Sequence, residues 1–173
     1  MVWIRDGVDY KEIMKVIAMI SSVFLSLVFA NPNPTTTTEQ ELAAFQANSL
    51  KAINDLDYNA IESSLSSEFT HVIVKRYING EKTFTQSRED YLIQTKYAFS
   101  RIKTYEHNFR QLESNIFPTP TEDGAIASTK GITDELVTDK MDKEFKSKTE
   151  ITSYFIKEDD QLKLLKVVSK RLK

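Results

Sequence analysis

Between Ile102 and Leu172 the chain carries four long stretches of strand character: Ile102–Ile116, Ala125–Val137, Phe145–Ile156 and Leu162–Leu172. Each holds around a dozen residues, rich in β-branched and aromatic side chains. Pro118-Thr-Pro120 and Asp123-Gly124 mark one reversal, and Lys157-Glu-Asp-Asp-Gln161 is a charged hairpin turn. Strands this long in one sheet must twist and curl, commonly with bulges. On the third, Phe145, Ser147, Thr149, Ile151, Ser153 and Phe155 share one face. Glu144, Lys146, Lys148, Glu150 and Thr152 share the other, which reads as solvated.

Upstream, the hydrophobic period is that of helices. Leu42, Phe45, Ser49, Ile53 and Leu56 fall at three-to-four spacing, behind a capping box at Thr38-Glu-Gln-Glu41. Asp57 caps a second, short helix whose Ala60, Ile61, Ser64 and Leu65 share a face. The period then changes: Phe69–Tyr77 reads as a strand, and Asn79-Gly80 as a turn. Ser87 caps another helix with acids in its first turn, packing through Tyr91, Leu92, Thr95 and Phe99. The fold class is α+β, with N-terminal helices on a strongly curved, mostly antiparallel sheet.

Composition removes several functions. The chain of 173 residues has no cysteine, which excludes disulfide scaffolds and thiolate metal centres. With 23 basic against 25 acidic residues the net charge is −2, which argues against a nucleic-acid partner held by broad electrostatics. Four glycines and four prolines argue against disorder of the whole chain.

The first thirty residues read as an address. Val16–Ala30 is an apolar run after Met14-Lys15, and Val28-Phe-Ala30 suits cleavage after Ala30. Met14 is an alternative start, because Asp6, Asp9 and Glu12 are unusual in a leader's positive end. An uncleaved anchor and a core helix are the alternatives, but a span needs roughly 20 apolar residues and this run is shorter. The expectation is a signal peptide at 1–30, a polar linker at 31–38 and one domain at 39–173. The protein is then secreted or periplasmic, with no stable membrane insertion after cleavage.

The element order resembles the nuclear transport factor 2-like superfamily, including its polyketide-cyclase-like (SnoaL-like) and ketosteroid-isomerase-like branches. The stretch Phe45–Phe69 looks like its first helix, short second helix and entry to strand one, with Ile53–Val72 the most typical part. Thr85–Tyr91 looks like its next helix start, and Thr152–Val168 like its closing hairpin, although Asp160-Gln-Leu162 stands where many relatives carry Gly-Lys-Trp. The resemblance implies a cone-shaped fold, a pocket between the sheet and the helices, and a homodimer through the outer sheet face.

Candidate pocket residues are Tyr58, His71, Tyr91, Tyr105, His107 and Phe109. Aromatic walls with a few polar handles suit a small ligand, though such stripes also serve as plain core. His71 and His107 are the only histidines. If their strand faces both turn inward, they could share a pocket and move protons near neutral pH. No metal-ligand spacing and no phosphate-cradling loop is present, so no metal and no cofactor is expected. Asp55, Asp57, Glu106, Asp134 and Glu150 are the acids near elements, and none is flanked by apolar strand residues on both sides. The isomerase branch's catalytic residues are therefore not carried over. Three roles stay open: non-catalytic binding of a small hydrophobic or amphipathic ligand or a peptide, an isomerase- or cyclase-type enzyme acting on a hydrophobic carbonyl compound, and an envelope oligomerisation module.

Overall fold

A computed structural model of the chain describes residues 37–172. The expected leader, the alternative start at Met14 and residues 31–36 of the linker lie outside them. The elements run α1 (Thr37–Asn54), α2 (Tyr58–Ser64), β1 (Leu65–Tyr77), β2 (Gly80–Ser87), α3 (Arg88–Phe99), β3 (Ile102–Ile116), β4 (Ala127–Asp139), β5 (Glu144–Glu158) and β6 (Gln161–Arg171).

Local chemistry explains most boundaries. The Asp57 carboxylate accepts from the Ala60 N–H at 3.0 Å and starts α2. Ser87 accepts from the Asp90 N–H at 3.1 Å and starts α3. Asp159 and Asp160 both sit at positive φ, 50° and 57°, closing the two-residue turn from β5 to β6. The capping box does not form as expected: α1 already begins at Thr37, and Glu41 pairs instead with Lys157 at 2.9 Å. β1 begins at Leu65, four residues earlier than its apolar run suggests, and Gly80–Ser87, which carries no apolar alternation, forms the strand β2.

The strands form one sheet in the order β2-β1-β6-β5-β4-β3. The β1–β6 pair is parallel and the others are antiparallel. The register shifts within β3–β4, β5–β6 and β1–β6, as long curled strands require.

Alternation along the strands defines a buried face. On β4 every odd-numbered residue from Ala127 to Asp139 is buried. Register puts Ala127 opposite Phe155, and Phe155 meets Phe45 of α1 edge-on with centroids 5.4 Å apart. The odd residues of β4 and β5 therefore share the face that α1 covers. α1 lies on β3 and β6, while α3 lies on β1 and β2. Ile53, Ile61, Phe69, Tyr91, Ile151 and Leu164 form the innermost core. Gly131 is required on this face: a Cβ there would stand 2.2 Å from the Phe109 ring. Its absence lets the ring lie against β4.

Candidate functional site

Cross-strand partners of an antiparallel pair stand on the same face. Along the buried face of β4 and β5 the paired residues are Ala127 with Phe155, Thr129 with Ser153, Gly131 with Ile151, Thr133 with Thr149, and Glu135 with Ser147. The surface thus passes from an apolar end to a polar end rich in hydroxyl groups.

Glu135 is the focus of that polar end. It is 4% exposed, and the Tyr105 hydroxyl donates to its Oε1 at 3.0 Å. Ser147 Oγ pairs with its Oε2. Burial disfavours the carboxylate and pushes the group up to about 8, against the hydrogen bonds from Ser147 and Tyr105 and the charge of Arg171. At neutral pH Glu135 therefore keeps its proton and offers one O–H as a donor. One residue pair along, the Thr149 hydroxyl is buried with no hydrogen-bond partner among the described residues, and the same holds for Thr129. Buried hydroxyls normally have a partner, so these two are open to one.

A second polar cluster lies on β1, β2 and β6. His71 is fully buried, with Nδ1 3.1 Å from Gln86 Oε1 and Nε2 2.8 Å from Ser169 Oγ. An amide oxygen can only accept, so Nδ1 carries the hydrogen and Nε2 accepts from Ser169. Burial holds His71 down to about 4. Its ring packs edge-on against Tyr91 at 5.9 Å, and Tyr91 packs on Phe69 at 5.2 Å.

The six residues singled out from the sequence divide accordingly. Tyr105 and Phe109 lie buried on β3, and the His107 backbone pairs with Glu135. His71 and Tyr91 lie together at the other side. Three strands, β6, β5 and β4, stand between the two histidine-bearing strands. Tyr58 is half-buried on α2 with the Lys96 ammonium 5.7 Å from its ring centre, and burial raises its phenol.

The acids weighed from the sequence are all outside the buried face. Asp57 is a cap, Asp134 pairs with Lys148 at 3.3 Å, Glu150 stands 3.9 Å from Lys130, and Asp55 and Glu106 are exposed. Glu106, Asn108, Asp134, Leu136 and Lys146 border an open hollow of about 340 Å³ that also reaches Glu135 and Ser147. The buried acid is Glu135, which is not among the five acids that the sequence brings forward. Its signal was parity: Gly131, Thr133, Glu135 and Val137 fall on one face. Among the described residues no three His, Asp or Glu side chains gather as metal ligands.

No protein-family model matches the sequence, and no curated protein matches it. Solved structures do match in shape. A ketosteroid isomerase-like protein from Erwinia carotovora atroseptica superposes with a TM-score of 0.52 at 10% identity, covering 72% of this chain and 88% of that one. The BvnE pinacolase of Penicillium brevicompactum gives 0.54 at 9% identity, covering 76% and 86%. An NTF-2 like protein of unknown function from Silicibacter pomeroyi gives 0.52 at 11% identity, covering 79% and 100%. At these identities the likeness establishes the fold: helices on a curved, mostly antiparallel sheet, as in nuclear transport factor 2-like proteins.

Proposed function

On this nuclear transport factor 2-like fold, we propose that the helix-facing surface of β3, β4 and β5 binds a small amphipathic molecule, with Glu135 as its polar anchor. The observation that carries this reading is the buried Glu135–Tyr105–Ser147 cluster beside the unpartnered Thr149 hydroxyl. A hydroxyl-rich wall next to Phe109 suits a ligand with an apolar body and hydroxyl or carbonyl groups, more than a plain hydrocarbon. 2-Naphthol, a fluorescent aromatic alcohol, is the probe. Saturable binding that weakens about tenfold or more in Glu135→Leu is expected, the loss of one or two buried hydrogen bonds. Equal binding by both proteins overturns the reading.

A second reading is proton transfer on a carbonyl compound, and one observation favours it: Glu135 is a buried acid raised to about 8 and bonded to a tyrosine hydroxyl. Deuterium exchange next to the carbonyl of cyclopentanone in D2O, followed by NMR, tests it. Acceleration by the wild type and none by Glu135→Gln supports catalysis; no acceleration leaves binding alone.

The proposed setting is outside the cytoplasm, supported by the apolar run Val16–Ala30. The mass of the protein recovered after expression tests cleavage following Ala30. The proposed assembly is a homodimer through the outer sheet face, which sedimentation at micromolar concentration tests; a monomer there counts against it.

A further inference from the structure

The β1–β2 hairpin extends beyond the sheet that holds its base. β1 pairs with β6 only as far as Val74, opposite Lys170; past that point its ladder partner is β2. β2 is an edge strand, exposed along almost its whole length. This arm concentrates apolar exposure at its end. Ile78 at the tip is 105% exposed, Tyr77 48% and Phe84 42%. Its stem is cationic, with Lys75, Arg76 and Lys82 against Glu81 alone, in a chain whose net charge is −2. Glu81 is itself bonded, to Lys170 at 2.6 Å and Arg76 at 3.3 Å. The Lys75 ammonium lies 4.8 Å from the Phe84 ring centre, and that of Lys82 lies 5.7 Å from Tyr77.

We infer that this hairpin docks on an anionic lipid surface, with Tyr77 and Ile78 entering the headgroup–acyl boundary and the stem cations meeting lipid phosphates. The order of groups along the arm selects this partner. An acidic polypeptide would engage the cations and leave Ile78 in water. An apolar protein groove would take Ile78 and strand the cations. A lipid interface is apolar inside and anionic outside, which matches an apolar tip followed by a basic stem. Reach agrees as well: the four residues from Val74 to Ile78 extend roughly 13 Å at strand rise, enough for a shallow insertion of about 5–10 Å. Aromatic rings and lysines are the side chains that settle at this depth.

The test uses the full chain and co-sedimentation with vesicles of equimolar phosphatidylglycerol and phosphatidylcholine, beside vesicles of phosphatidylcholine alone. The wild type is expected to prefer the anionic vesicles. Ile78→Asp should weaken that binding about tenfold or more. Lys82→Glu should weaken it roughly fivefold or more, and added salt should weaken it further. Both positions are exposed, so urea midpoints should not move. The inference is overturned if the wild type shows no anionic preference. It is equally overturned if the two variants bind as the wild type does, which would assign the contact to another segment such as the apolar run Val16–Ala30. Loss in Lys82→Glu with none in Ile78→Asp also overturns it, since the arm would then be a simple acid-binding surface.

Discussion

Two buried polar clusters occupy opposite sides of one sheet, and the same force acts on both with opposite sign. His71, on β1, is held at about 4 by burial; Glu135, on β4, is raised to about 8 by burial. Each is left uncharged at neutral pH because the interior disfavours either charge. The difference lies in what surrounds them. His71 has both ring nitrogens engaged by side chains of neighbouring strands, so it acts as a tie across β2, β1 and β6. Glu135 has Tyr105 and Ser147, but the next hydroxyl along the face, Thr149, has no partner among the described residues. One cluster is complete within the protein, and the other retains bonding capacity for something else. A buried ionisable group is therefore not by itself a sign of function; its neighbours decide.

The largest effect expected is at the tie. His71→Leu leaves Gln86 and Ser169 facing an apolar side chain and should destabilise the fold by about 3 kcal/mol in urea titration. A loss near zero would erase the contrast between the clusters. Next comes the wall beside Glu135. Gly131→Ala drives a methyl into the Phe109 ring and should cost about 2 kcal/mol, since overpacking forces side chains off their rotamers. Ligand binding should fall with it if that wall is the binding surface.

The pH dependence separates the clusters more finely. Glu135 binds its proton more tightly folded than unfolded, so its contribution is full below 4.5 and is lost as pH rises toward 8. His71 binds its proton less tightly folded, so its contribution is full above 6.5 and is lost as pH falls toward 4. Between 4.5 and 6.5 the two slopes, up to about 1.4 kcal/mol per pH unit each, oppose and cancel. Glu135→Gln should uncover a stability that climbs from pH 4 to 6.5. His71→Leu should uncover one that declines from pH 4.5 to 8. Thermal unfolding across that range, read on each variant's own curve, checks both: the Glu135→Gln minus wild-type difference should rise from pH 4.5 to 8 and the His71→Leu minus wild-type difference should fall from pH 4 to 6.5, and flat differences would refute the assignment of the slopes. The smallest effect is a control on the surface: Lys103→Met removes the exposed pair with Asp142 and should change stability by less than about 0.5 kcal/mol.

Much of the fold was legible because it is written in period. β3 was bounded as Ile102–Ile116 from its residues alone, and Asp57 and Ser87 announced their helices. β2 was not legible. Gly80–Ser87 has a single aromatic among polar residues, and an exposed edge strand needs no apolar face. Its pairing is imposed by the turn and by β1. Glu135 was obscured for a related reason. Ile132 and Leu136 sit on the opposite parity of β4, so the apolar alternation pointed away from the face that the helices cover. Which face of a two-sided strand is buried is decided by its partners, and the Tyr105 contact joins residues 30 apart in the chain.

The parallel ladder between β1 and β6 also sets a timetable. These strands, Leu65–Tyr77 and Gln161–Arg171, are the first and last of the sheet in chain order. Joining them closes a long loop, a slow step that local contacts cannot anticipate. Until β6 is made, β1 has only β2 as a strand partner, with α3 lying on the pair, and a two-stranded ribbon is marginal in water. The middle of the sheet thus stays open, and pliable, until β6 arrives to close it.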